Sequence, residues 1–342
     1  MRPSLHPRLI NEPFGDPGLF ISFLFSNRAI MFDLGDLAGL SSRDILKISH
    51  VFVTHTHMDH FVGFDRLLRL NLGREKSIYL YGPQGFRKNV EGKLAGYAWN
   101  LVENYPNPFT LHVTVVLTDQ LITTQYFSGA KFLPTGKSAV TPFNDILHEE
   151  PALTVSTVLL DHSIPCLGFA IKERFHVNII KDKVLSLGLE TGPWLDQFKQ
   201  ALYNGKSPAS EFVVELDKTN RRKKRFNLGE LAKHIAMISP GQEICYIVDV
   251  AYTESNAAKI IEFVKNADQL YIEAAFLEKD TQVARLKNHL TARQAGIIAG
   301  KSRVKQFTIF HFSPRYTTQA HLLEQEALEA YESAAVRENN EE

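Results

Sequence analysis

Short apolar runs rich in β-branched residues alternate along the chain with amphipathic stretches. Residues 19–25 and 29–33 read as a hairpin across Ser26-Asn27-Arg28, and 42–48 as a short helix with a serine cap. The run Val51-Phe52-Val53 reads as a buried strand, and 61–72 as the helix after it. A strand at 77–81 leads into a helix over about 84–99, and 111–116 and 121–127 read as antiparallel strands. Residues 152–160 form a long strand that 168–171 pairs with. From 172 to 241 helical patterns at 193–203 and 228–237 surround a segment with little core-strand signal. From 243 onward, strands at 243–248, 269–272 and 306–310 alternate with helices at 255–266, 291–299 and 317–331. That alternation is the mark of βαβ units and an α/β fold. The tail, 332–342, is acidic and reads as frayed.

Candidate chemistry sits where strands stop. The first buried run breaks off into His55-Thr56-His57-Met58-Asp59-His60. Three imidazoles and a carboxylate in six residues are the donor set that suits zinc and similar ions. Four more apparent strands end in metal-type side chains, at His162, Asp249, Glu273 and His311. In α/β sheets, sites assemble beyond the carboxyl ends of strands. The set His55, His57, Asp59, His60, His162, Asp249 and His311 suits two metals, with Asp249 as the bridge. His55, His57 and His162 fall to one metal, and Asp59, His60 and His311 to the other. Two ions about 3.5–4 Å apart lower the pKa of water and offset charge on the attacked centre, which fits phosphodiesters best. Asp33, at an earlier strand end, reads as a turn residue or as the orienter of a ligand histidine.

Composition narrows the setting. The chain has 342 residues and a formal net charge of zero, so affinity for nucleic acid needs a local patch. One patch is available: Lys218-Thr219-Asn220-Arg221-Arg222-Lys223-Lys224-Arg225 is either a solvated loop or a phosphate-binding surface. The two cysteines, Cys166 and Cys245, form no framework, which fits a reducing compartment. The first apolar run is too short for a signal peptide or membrane span. The reading is cytoplasmic, with no membrane partner.

These residues resemble the metallo-β-lactamase superfamily, and within it the ribonuclease Z branch. The superfamily motif is His55 to His60, with Asp33 before it and His162, Asp249 and His311 after. The branch is marked by residues 160–169, by Glu273-Ala274-Ala275-Phe276, by His289-Leu290-Thr291-Ala292, and by His311-Phe312-Ser313-Pro314-Arg315-Tyr316. The resemblance implies a four-layer αβ/βα sandwich over 1–342, dimeric, with an inserted arm at about 175–240 that grips precursor tRNA. It implies a dinuclear zinc phosphodiesterase that removes the 3′ trailer, with Mn2+ or Fe2+ as possible substitutes. His289 is then the proton donor to the leaving oxygen, and Glu273 positions it. Asp59 doubles as ligand and base. Ser313 and Arg315 face phosphate, and Arg221, Arg222, Lys223, Lys224 and Arg225 bind RNA. Three features depart from the branch. Residues 11–18 replace a basic glycine-rich loop with one that has no basic residue; Val250 stands where a threonine follows the bridging aspartate; and Ile272 stands where a histidine precedes Glu273. The first departure keeps a second reading open, a paralogous hydrolase of a small phosphodiester, ester or sulfate.

Overall fold

The computed structural model describes residues 4–24, 26–215 and 223–341, with side chains to residue 336. Its contacts divide the chain into two compact units: 5–147, 155–171 and 243–342 form the larger, and 1–4, 148–154 and 172–242 the smaller.

In the larger unit, β1 (Leu5–Leu9), β2 (Leu19–Phe23), β3 (Ala29–Phe32), β4 (Ile48–Phe52), β5 (Lys76–Gly82), β6 (Phe109–Val116), β7 (Gln120–Phe127) and β8 (Pro134–Pro142) form one sheet in chain order. Its middle, β3 to β6, is parallel, and both flanks are antiparallel. β1 contains Pro7, which an edge strand tolerates because one side of its backbone needs no partner. Then follow β9 (Ile146–Glu150), β10 (Leu153–Asp161) and β11 (Pro165–Glu173). In the smaller unit, β12 (Phe175–Ile179) pairs antiparallel with β15 (Ala236–Pro240), and β13 (Glu211–Glu215) with β14 (Lys223–Asn227). The chain returns as β16 (Glu243–Ile247), β17 (Gln269–Glu273) and β18 (Phe307–Phe310). These complete a second sheet in the order β18-β17-β16-β11-β10-β9.

The two sheets meet through aromatic side chains. Phe32 stands 5.3 Å from Phe169 and 5.9 Å from Tyr246, centroid to centroid, and all three are buried. Burying a side chain of this size stabilises the fold by about 1.5–3 kcal/mol. The outer face of the first sheet packs on the helices Phe64–Asn71 and Phe86–Ala95 through Leu67, Leu68, Val90 and Leu94. The outer face of the second packs on Glu254–Phe263, Ala292–Lys301 and Ala320–Glu341. The result is helix, sheet, sheet, helix: the four-layer sandwich implied by the sequence.

Several boundaries differ from the pattern. The helix after β4 is split into Met58–Phe61 and Phe64–Asn71. Gly63 lies between them, and a Cβ there would sit 2.3 Å from the Gly35 carbonyl oxygen. The last helix runs from Ala320 to Glu341, through the acidic tail. It is held by small residues, since a Cβ on Gly296 or Gly300 would meet Ala327 O at 2.1 Å or Tyr331 O at 2.6 Å. The strand-poor reading of 172–241 is also corrected, because four strands lie there with their own core of Val184, Trp194, Phe198, Val214, Leu231 and Ile235. β14, with the sequence KKRFN, is mostly exposed and carries no alternating pattern to reveal it.

Candidate metal centre

The histidine motif is a strand end followed by one helical turn. His57 occupies the N-cap of Met58–Phe61 in an extended conformation, so His55 and His57 precede the turn while Asp59 and His60 ride on it. Three other contributors follow strands in the left-handed region: Asp33 at φ 57°, Asp249 at φ 52° and His311 at φ 61°. That conformation costs a non-glycine residue about 1–2 kcal/mol. Backbone bonds beside each one hold it. Leu34 N donates to His60 O at 2.8 Å, Val250 N to Glu273 Oε1 at 2.7 Å, and Phe312 N to Pro13 O at 2.8 Å.

Asp249 is the centre. Its Oδ2 lies 3.4 Å from His55 Nε2, 3.2 Å from His60 Nε2 and 3.5 Å from His162 Nε2. Its Oδ1 lies 3.0 Å from His311 Nδ1. His55, His57, His162 and Asp249 form one group whose donor atoms converge, and Asp59, His60 and His311 another. These are the two sets divided in the sequence, with Asp249 between them. Asp249, Glu273, His289 and His311 also converge.

The donor set fits divalent ions on two counts. Four of its buried atoms, His55 Nε2, His60 Nε2, Asp249 Oδ1 and His311 Nδ1, crowd together without a well-directed hydrogen bond. The charges also point that way. Burial pushes the His55, His57 and His162 imidazoles down, toward the neutral form that ligates metal. Burial acts the same way on His60 and His311, but the Asp249 carboxylate outweighs it, lifting His60 to about 10 and His311 well above its usual value. Burial would raise Asp249, yet the His311 and His60 charges hold it well below the usual carboxylate range. On Asp59 the same contest ends at about 2, with His311 and His60 overcoming burial. Asp249 and Asp59 thus draw positive charge to this spot, the demand that a divalent ion would meet.

Outer contacts fix the ligands. Asp33 is fully buried and receives Thr54 N at 2.7 Å, Thr54 Oγ1 at 2.9 Å and Tyr246 OH at 3.1 Å, with His60 Nδ1 at 2.9 Å. The Asn288 carbonyl accepts from His162 Nδ1 at 2.8 Å. Glu273, also fully buried, pairs with His289 Nδ1 at 2.8 Å, and its charge raises the imidazole pKa against the pull of burial. Cys166 is buried, and burial pushes its thiol well up, so it stays protonated and is no nucleophile.

A cavity of about 240 Å³ opens beside Asp59, His289 and His311. Ser313 and Phe312 of the last motif line it, as do Phe14 and Asp16 of the 11–18 loop and Lys287, which the sequence patterns did not single out. Phe14 sits edge-on to Phe312 with centroids 5.4 Å apart. Arg315, expected to face phosphate, pairs with Asp280 at 3.1 Å and is not among the residues lining the cavity. In the smaller unit, Lys223 pairs with Glu215, Arg225 pairs with Glu211, and Lys224 donates to Leu187 O. Arg221 and Arg222 lie outside the described residues.

No family model matches the chain. Curated relatives do. It is 27% identical over 280 residues to ribonuclease Z of Deinococcus radiodurans, covering 81% of this chain and 79% of that one. It is 27% identical over 328 residues to ribonuclease Z of Enterococcus faecalis, covering 93% and 88%. Among solved structures, it is similar to the metallo-β-lactamase fold protein YhfI of Bacillus subtilis, with TM-score 0.52, 15% identity and coverage of 96% and 94%. It is also similar to the short form of human tRNase Z, with TM-score 0.50, 16% identity and coverage of 92% and 93%. The chain therefore has the metallo-β-lactamase fold, and within that fold its sequence resembles the ribonuclease Z branch over most of its length.

Proposed function

We propose that this chain is a dinuclear zinc phosphodiesterase that removes the 3′ trailer of precursor tRNA. The observation that carries the reading is Asp249, with imidazole nitrogens of His55, His60, His162 and His311 within 3.5 Å of its two oxygens. His57 and Asp59 complete the set. Similarity to proteins named ribonuclease Z supports the RNA substrate. Two zinc ions held there would lower the pKa of water and offset charge on the phosphoryl oxygens, and Mn2+ or Fe2+ suits the same donors.

The chain's own residues supply the rest. Asp59 stays ionised through the neutral range and accepts a hydrogen bond from the attacking water. His289 gives a proton from Nε2 to the leaving oxygen, while Glu273 holds Nδ1. Asp33 and the Asn288 carbonyl hold His60 and His162 in place. We further propose a cytoplasmic homodimer; no helix among the described residues is long and apolar enough to cross a membrane.

A second reading, hydrolysis of a small phosphodiester, ester or sulfate, is favoured by the cavity beside Phe14. The loop there has no basic residue, and Asp16 lines the cavity. One experiment separates the two. The zinc-loaded chain is incubated with a 3′-extended precursor tRNA, with Asp59→Ala as the blank, and the product ends are mapped. A cut just after the discriminator base, absent in the blank, supports the first reading. No cut, with bis-p-nitrophenyl phosphate still hydrolysed, leaves the second.

A further inference from the structure

We propose that Lys287 is the phosphate-binding residue of this site, taking over the contact that the acidic, aromatic loop at 11–18 does not make. The inference rests on the phosphodiesterase reading and deepens it. Lys287 is the last residue of the helix Thr281–Lys287, and Asn288 caps that helix in the left-handed region, at φ 59° and ψ 39°. The cap turns the chain so that Lys287 and His289 line one cavity. The turn is fixed, since His162 Nδ1 donates to the Asn288 carbonyl at 2.8 Å. Lys287 is thereby tied to the metal ligands by the same segment that carries the proton donor.

Charge makes the case. Among the described residues lining the cavity, Lys287 is the one lysine or arginine, and Asp16 and Asp59 line it too. Lys287 is exposed and has no ion pair or hydrogen bond among the described residues. Arg315 is held by Asp280. Lys287 is therefore the free cation nearest in sequence to the group that meets the leaving oxygen. A lysine ammonium is a flexible point charge, suited to a non-bridging phosphoryl oxygen of a phosphodiester monoanion. Phe14, half-buried and edge-on to the buried Phe312, lines the same cavity and offers ring surface to the base of a nucleoside that carries the leaving oxygen. The substrate class that fits is an anionic phosphodiester with a planar group beside the scissile bond; a neutral ester would gain nothing from the lysine.

A cation in the last turn of a helix also offsets the helix dipole. Arg285 occupies that turn as well, so the dipole does not need Lys287. The two roles differ in what they change. Steady-state kinetics of zinc-loaded parent, Lys287→Gln and Lys287→Arg are measured on the 3′-extended RNA and on bis-p-nitrophenyl phosphate across a salt series. Zinc content and melting temperature are read on each variant. For Lys287→Gln, KM for the RNA rises about tenfold, kcat changes less than about threefold, and the slope of log KM against log salt falls by about one. Lys287→Arg restores most of the KM. A lower melting temperature with unchanged KM and salt slope overturns the proposal while leaving the phosphodiesterase reading intact. A parent that cleaves neither substrate overturns both.

Discussion

Glu273 Oε2 lies 2.8 Å from His289 Nδ1, while its Oε1 accepts the Val250 backbone N–H at 2.7 Å. One buried carboxylate thus ties the candidate proton donor to the residue after the bridging aspartate. A carboxylate at Nδ1 favours the doubly protonated imidazole, which is the form that can give up a proton from Nε2. Glu273→Gln keeps the Val250 bond but sets an amide N–H against Nδ1, which disfavours that form. The expected outcome is a fall in kcat of about 10- to 100-fold with zinc content unchanged. Steady-state kinetics with metal analysis checks it; full activity in the variant would remove Glu273 and His289 from the mechanism together.

Asp33 takes its hydrogen bonds from three elements. Thr54 and His60 come from the motif after β4, and Tyr246 from β16 in the other sheet. Asp33→Ala leaves the Tyr246 hydroxyl, the Thr54 amide and the His60 ring without this acceptor, all in the buried core. Loss of a buried network of this kind costs about 3–5 kcal/mol. Asp33→Asn keeps one acceptor oxygen for Thr54 and so costs less. Urea unfolding should rank the three proteins in that order, and zinc affinity should fall about 10- to 100-fold in the alanine variant. Equal midpoints for all three would show that the network does not hold the sheets.

The metal set was legible because it is contiguous or sits at strand ends, where burial of the preceding run marks the stop. His55 to His60 needed only local reading. Asp249 and His311 needed the alternation of β16 to β18 with helices. What escaped were features made by distant partners. Asp280 lies 35 residues before Arg315, so nothing around Arg315 in the chain foretells their pairing. Lys287 reads as an ordinary helix-end lysine until the left-handed turn at Asn288 brings it to the cavity. The basic run in the arm reads from sequence as a solvated loop or a phosphate-binding surface, and the hairpin register, which the run does not foretell, sets Lys223 opposite Glu215 and Arg225 near Glu211. Exposed pairs of this kind contribute about 0–1 kcal/mol each.

Lys76 supplies a pH test away from the metal site. Burial, with a smaller contribution from the Arg74 charge, pushes its ammonium down to about 8. In the unfolded chain a lysine titrates near 10.4. Between about pH 8 and 10.4 the unfolded chain therefore binds more protons than the folded one, so stability rises with pH across that window. Below it, the folded state carries the cost of a half-buried ammonium whose one described hydrogen bond goes to Leu46 O. Lys76→Met removes this titration. The stability difference, parent minus variant, should grow by about 1–2 kcal/mol from pH 7.5 to 10.5, after allowance for solvent at the half-buried site. Chemical denaturation at the two pH values measures it. A constant difference would mean that Lys76 keeps an ordinary pKa in the folded protein.

Chelation tests the centre as a whole. His55 Nε2, His60 Nε2, Asp249 Oδ1 and His311 Nδ1 are buried without a well-directed hydrogen bond, and a buried polar atom left unsatisfied costs about 1–3 kcal/mol. Zinc would satisfy all four, and a ligand that binds only the folded chain stabilises it by mass action. Removing metal with EDTA should lower the melting temperature by on the order of 5 °C. Zinc should restore it and Ca2+ should not, because Ca2+ prefers oxygen donors and the set is mostly imidazole. The stoichiometry matters as much as the shift. Restoration should need two zinc ions per chain, while His57→Ala and Asp59→Ala should each lower the zinc retained, from opposite halves of the cluster. One ion per chain in the parent would put Asp249 in a mononuclear site and leave Asp59 without a metal to bind.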